Sequence, residues 1–118
     1  MIISFVQAPE NLFRIPGDLP EDIHVEEIGS GRLKDYIHGF YTMEKDLARD
    51  IYFLKSQLKK DGMIWISWPK GGSSVITNLN REKVREEVLK EGLVDVKVCS
   101  VDQTWSALKF VYRLKNRG

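Results

Sequence analysis

Gly62-Met63-Ile64-Trp65-Ile66-Ser67-Trp68-Pro69-Lys70-Gly71-Gly72-Ser73-Ser74 is the stretch whose reading decides the fold. Its first part is apolar and holds two tryptophans. Pro69 then breaks the run into a lysine, two glycines and two serines. A short apolar run bounded by turn residues reads as a strand buried on both faces. Trp65 and Trp68 are three apart, so they lie on opposite faces of that strand. Gly62–Pro69 is therefore the expected central strand, and Lys70–Ser74 the polar loop that it feeds.

Upstream, Leu47, Ile51, Leu54 and Leu58 recur at helical spacing. Thr42 is the expected cap, and Glu44 and Asp46 favour the positive end of the helix dipole. Lys59-Lys60 would sit at its negative end, with Gly62 as a left-handed stop. Downstream, Asn80 is placed to cap a second helix, with Leu79 stapled onto Val84, and Gly92 ends it. Val94–Val101 and Ser106–Leu114 alternate as strands. Asp102-Gln103-Thr104 is too short for a crossover helix, so this pair is antiparallel.

Toward the amino terminus, Ile2–Val6 is a short buried strand ended by Gln7-Ala8-Pro9-Glu10. Asn11–Ile15 suits a helical turn, and Pro16–Pro20 a loop. Asp22–Ile28 and Lys34–Tyr41 read as strands around a Gly29-Ser30-Gly31 turn. Helices between strands imply parallel pairing, with right-handed crossovers that bring the loops after the strands to one edge. The expected fold class is α/β: residues 1–118 as one domain, with a single mixed, mostly parallel sheet of about six strands. Helices cover both faces, and an antiparallel hairpin closes the chain.

The 118 residues carry 18 Lys/Arg, 17 Asp/Glu and a net charge of +1, too balanced for a protein whose main task is holding a polyanion. Residues 1–60 carry 8 basic against 10 acidic residues, and residues 61–118 carry 10 against 7. The lone Cys99 permits no intrachain disulfide and suits a reducing cytosol. No apolar run reaches the ~20 residues of a membrane span. A cytoplasmic protein, with no membrane partner, is expected.

Two stretches carry a resemblance. Trp65-Ile66-Ser67-Trp68-Pro69-Lys70 with Thr77-Asn78-Leu79 is one. Gly92-Leu93-Val94-Asp95-Val96-Lys97-Val98-Cys99, continuing to Asp102-Gln103-Thr104-Trp105-Ser106, is the other. Together they resemble a prokaryotic domain family of unknown function. Its members pair a Trp-Pro-Lys strand end with a Gly-Leu-Val-Asp-x-Lys-Val-Cys and Asp-x-Thr-Trp-Ser hairpin. The family is similar in fold to a cut-down methyltransferase-like Rossmann sheet. The resemblance implies strand order 2-1-3-4-6-5 and no particular reaction.

Methyltransferases run their first strand into a glycine-rich turn that lets backbone approach the cofactor. Here that turn is Gln7-Ala8-Pro9-Glu10-Asn11, and the proline removes an amide donor. This counts against S-adenosylmethionine binding in the usual mode, and no cofactor is predicted. Glu26 or Glu27 stands where such sites place a carboxylate.

Ligand-binding candidates fall on three loops expected to share the carboxyl edge. Lys70, Ser73 and Ser74 offer a cation, two hydroxyls and flexible amides to a phosphate or carboxylate. Asp102, Thr104, Trp105 and Ser106 offer hydrogen bonds and a stacking ring, although Asp and Thr also satisfy turn amides and Trp105 also packs. Gln7 closes the set. Lys97 reads as an edge-strand lysine that discourages sheet pairing, and Cys99 as a small hydrophobe. His24 and His38 have no metal-ligand spacing around them, so no metal is expected. Neither a Gly-x-Ser-x-Gly elbow nor a nucleophile–base spacing is present. Trp105, Phe110 and Tyr112 in the basic tail read as core, so the nucleic-acid signal is not strong.

Three functions follow from these residues. The first is a binding module for a small anionic or nucleotide-like ligand at the carboxyl edge. The second is an interaction or structural module that has lost a methyltransferase-type cofactor site. The third is an enzyme of unassigned reaction at the same edge. Unpaired strands at both ends of the sheet leave room for a homodimer.

Overall fold

Strand β4 (Leu58–Pro69) lies inside a six-stranded sheet in the computed structural model, which describes residues 1–10 and 19–113. The other elements, in chain order, are β1 (Ile2–Val6), β2 (His24–Val25), β3 (Lys34–Phe40), α1 (Glu44–Ser56), α2 (Arg81–Leu89), β5 (Leu93–Ser100) and β6 (Trp105–Tyr112). The spatial order is β2-β1-β3-β4-β6-β5, as the family resemblance implied. The β1–β2, β1–β3 and β3–β4 pairs are parallel, whereas β6 runs antiparallel to both β4 and β5.

The alternation of β4 divides the interior. Ile64, Ile66 and Trp68 join Ile37, Leu108 and Phe110 on one face, under Leu47, Ile51 and Leu54 of α1 and Val84 and Val88 of α2. Trp65 joins Ile3, Tyr36, Val101 and Ala107 on the other. Helices were expected on both faces, but both described helices pack on the first. The reason is directional. Each of β3–α1–β4 and β4–α2–β5 is a parallel crossover that steps the same way across the sheet, and right-handedness then puts both helices on one side. The expected Asn11–Ile15 turn and most of the Pro16–Pro20 loop lie outside the described residues.

Several boundaries differ from expectation. Thr42 does not cap α1. Its N-cap is Met43, which gives no side-chain hydrogen bond, and the Glu44 N–H instead donates to Asn78 Oδ1 at 2.8 Å. Thr42 contributes its carbonyl, which accepts from the Thr77 hydroxyl at 2.5 Å and the Asn78 N–H at 3.3 Å. The helix ends at Ser56, not at Gly62. Leu58 continues the apolar period because strand and helix bury it in the same cluster. Lys59 and Lys60 are likewise not at a helix end: Lys59 pairs with Asp35 at 3.2 Å, and the Lys60 ammonium lies 4.4 Å from the Tyr112 ring centroid. The pairing of β3 with β4 jumps from Lys34↔Leu58 to Tyr36↔Met63, so residues 59–62 form an irregular lead-in.

The expected Asp22–Ile28 strand shrinks to His24–Val25; the Glu26 N–H still donates to the Ile3 carbonyl of β1 at 2.8 Å, while its carboxylate takes the Ser30 hydroxyl at 2.8 Å and Arg32 at 2.9 Å. The second half of the chain follows its signals closely. Asn80 Oδ1 accepts the Lys83 N–H at 2.9 Å, Leu79 and Val84 are buried together, and Gly92 has a φ of 84°.

Gly62 is required by close approach and not by left-handed backbone. A Cβ there would stand 2.8 Å from Leu58 Cδ1 and 3.0 Å from the Asp35 carbonyl oxygen. We expect Gly62→Ala to cost about 1–3 kcal/mol through overpacking. Gly71→Ala, where nothing lies within 4 Å, should be near neutral. Urea unfolding of the two variants checks this; equal midpoints would refute it.

Candidate functional site

The carboxyl edge of the sheet begins where β4 stops being able to pair. Pro69 is the last β4 residue and lies opposite Trp105, the first residue of β6. The Lys70 N–H then donates to the Thr104 carbonyl at 2.7 Å, which ties the loop after β4 to the β5–β6 turn. The Lys70 ammonium donates to Ser100 Oγ at 2.5 Å, and it has no carboxylate partner among the described residues. The Ser73 N–H closes back on the Lys70 carbonyl at 3.0 Å. The Ser73 hydroxyl is buried without a hydrogen-bond partner, while Gly71, Gly72 and Ser74 are exposed.

The far end of this loop is anchored by the Thr77 and Asn78 contacts to Thr42 and by buried Leu79. A segment fixed at both ends, with open glycines between, carries a cation and an unused hydroxyl on one turn. That is the minimum for holding a phosphate or carboxylate oxygen.

The other candidates are committed to structure to different degrees. Asp102 Oδ1 accepts the N–H groups of Thr104 and Trp105, both at 2.8 Å, an Asx arrangement that shapes the turn. Trp105 meets Phe40 edge-on at 5.2 Å, packing over the end of the sheet. Ser106 is a ladder residue opposite both Trp68 and Ser100. Thr104 offers its carbonyl to Lys70.

Gln7 sits on the same edge, after β1, but β3 lies between β1 and β4. It is exposed, with a φ of 58° that non-glycine residues rarely adopt, and its side chain reaches toward the Tyr41 hydroxyl. Tyr41 donates to Asp50 Oδ2 at 2.9 Å, and burial pushes its hydroxyl pKa up. The structure thus joins the Lys70 and Asp102 loops directly and leaves the Gln7 turn two strands away.

One arrangement was invisible in the sequence. His38 Nε2 and Ser67 Oγ are 2.6 Å apart, although 29 residues separate them. They meet because β3 and β4 are adjacent and in register, with Phe40 opposite Ser67 and His38 opposite Trp65. Composition alone would suggest a nucleophile and a base. Both residues are fully buried, however, and burial drives the imidazole pKa down to about 3. Stacked on Phe40 at 4.3 Å, this histidine stays neutral and acts as a core residue.

That depression has a signed consequence. Between pH 6.5 and about 3 the unfolded chain binds a proton at His38 that the folded chain refuses. Stability is therefore full above pH 6.5 and falls as the pH drops, by about 2 kcal/mol at pH 5. Asp35 and Asp50, whose carboxyl pKa values are lowered, lose their contribution only at lower pH. Urea midpoints of the wild type should decline from pH 7 to 5, and those of His38→Gln should be flat. Parallel profiles would refute the assignment.

No family model matches the chain, and no curated protein does. Solved structures do resemble it. One is a magnesium protoporphyrin IX methyltransferase from Synechocystis with bound SAH, with a TM-score of 0.57 and 10% identity over 77% of this chain and 51% of that one. A putative methyltransferase from Thermoplasma acidophilum gives 0.52 and 12% over 80% and 47%. A TehB-like SAM-dependent methyltransferase from Corynebacterium glutamicum gives 0.52 and 14% over 77% and 56%. The chain thus spans about half the length of these structures. At such identities the likeness is one of fold: a methyltransferase-like Rossmann sheet.

Proposed function

We propose that this chain is a small binding module for an anionic or nucleotide-like ligand, held at the carboxyl edge by Lys70, Ser73 and Ser74. The observation that carries this reading is the Lys70 ammonium: it lacks a carboxylate partner among the described residues and sits on the same tight turn as the unpartnered, buried Ser73 hydroxyl. A buried hydroxyl without a partner costs about 1–3 kcal/mol, which an incoming oxyanion would relieve. The lone Cys99 and the balanced charge fit a cytoplasmic setting for such a module.

The residues do not fit S-adenosylmethionine in the mode of the methyltransferases. Where backbone must approach that cofactor, this chain has an exposed Gln7 in left-handed backbone, then Ala8 and Pro9. The Glu26 carboxylate, at the end of β2, is engaged by Ser30, Arg32 and His24. Those engagements, together with the use of Asp102 and Trp105 in turn and packing, favour the second reading. In it the sheet serves as an interaction or structural module. The buried, neutral His38 gives the enzyme reading no usable base.

Thermal unfolding separates these. Inorganic phosphate or a nucleotide should raise the wild-type Tm saturably by several degrees, as expected for saturation with a ligand that binds only the folded chain. Lys70→Ala should reduce the shift, and S-adenosylmethionine should give none. A shift of undiminished size in Lys70→Ala would refute the site. A shift with S-adenosylmethionine would refute the reading that its site is lost.

A further inference from the structure

The face of the sheet opposite α1 and α2 carries a row of side chains that the carboxyl-edge site does not use. Register places Phe5 of β1 opposite His38 of β3, His38 opposite Trp65 of β4, Trp65 opposite Lys109 of β6, and Lys109 opposite Lys97 of β5. Directly opposed residues point to the same face, so these five form one line across the sheet. Phe5 and Trp65 belong to the core cluster of that face, which confirms the side.

Two features of the line are anomalous. First, Lys97 and Lys109 are a directly opposed like-charge pair, an unfavourable arrangement in a sheet. Neither ammonium has an ion pair or a hydrogen bond among the described residues. Second, the next two residues inward hold buried polar atoms without partners, Trp65 Nε1 and His38 Nδ1. The indole N–H is a donor only, so what it lacks is an acceptor. Exposure falls along the line, from exposed Lys97 through half-buried Lys109 to buried Trp65. Cations and an orphaned donor thus succeed one another from the β5 edge into the interior.

We infer that this row is a second anion-binding site, distinct from the Lys70 loop. It takes a small oxyanion of phosphate or carboxylate type between Lys97 and Lys109, with one oxygen accepting the Trp65 indole N–H. The occupant relieves the lysine–lysine repulsion and supplies the missing acceptor together. It enters from the β5 edge, because that end of the row is open to solvent. The carboxyl-edge site lies elsewhere: Lys70 contacts Ser100, which is in register with Ser106 and Trp68 and so belongs to the helix-bearing side.

The test follows the Trp65 indole N–H by two-dimensional NMR during titration with inorganic phosphate, against sodium chloride at equal ionic strength. Trp65→Phe assigns the peak. The peak should move saturably with phosphate in the wild type and in Lys70→Ala, and stay still in Lys97→Ser/Lys109→Ser. A peak that does not move, or that moves equally with chloride or in the double variant, overturns the proposal. A second measurement stands if the double variant fails to fold. In phosphate-free, low-salt buffer, and with Lys70→Ala present to remove the carboxyl-edge site, Lys97→Glu replaces the repulsion with an opposed ion pair and should raise Tm by a few degrees, while phosphate should raise the Tm of Lys70→Ala and not of Lys70→Ala/Lys97→Glu. A lower Tm for Lys97→Glu, or equal phosphate shifts in both proteins, overturns the proposal as well.

Discussion

The structure depends on β4 being paired on both edges and covered on both faces. From Tyr36↔Met63 onward it runs parallel to β3, and from Ile64↔Phe110 to Pro69↔Trp105 it runs antiparallel to β6. Buried backbone amides and carbonyls must find partners, so a strand in this position leaves its neighbours little freedom of register. Ile64, Trp65, Ile66, Ser67 and Trp68 are all buried. A one-residue slip would send Trp65 toward the helices and Trp68 to the opposite layer. Pro69 ends the ladder where an amide is no longer available, and the chain leaves the sheet there for the Lys70 loop.

The parts of the fold legible in the sequence were those set by local chemistry. Asn80, Leu79 and Gly92 mark their helix because caps, staples and left-handed stops act within a few residues. The β5–β6 hairpin was legible because three residues can join only antiparallel neighbours. What failed were inferences that local pattern cannot constrain. Leu58 kept the helical period while already belonging to a strand, since both elements face one cluster. Thr42 had the chemistry of a cap, but Asn78, from the loop after β4, took that place. Lys34 is wholly buried, a fate its type does not announce. Its ammonium is held by the Ile28 and Arg32 carbonyls and by the Ser30 hydroxyl, which pins the Gly29–Gly31 turn against the sheet.

The same division runs through the candidate site. The meeting of the Lys70 and Asp102 loops followed from topology, and topology was readable. Which polar groups would be left over after folding was not, because that depends on distances between strands. Asp102 is committed to turn amides, whereas Lys70 and Ser73 keep capacity to spare. The likeness to methyltransferases is one of fold. The turn after β1 holds Gln7 in left-handed backbone, followed by Ala8 and by Pro9, which has no amide donor.

Buried polar atoms without partners are the most informative residue of this accounting. Three stand out among the described residues: Ser73 Oγ, Trp65 Nε1 and His38 Nδ1. Folded chains of this size are stable by only about 5–15 kcal/mol, so leaving several buried polar groups unmet at about 1–3 kcal/mol each is a substantial burden. Trp65 is in register with Lys109, and Ser73 closes the turn that begins at Lys70; neither lysine has a carboxylate partner among the described residues. A buried donor next to an uncompensated cation is the electrostatic complement of an oxyanion. The two proposed anion sites share this pattern on opposite sides of one sheet.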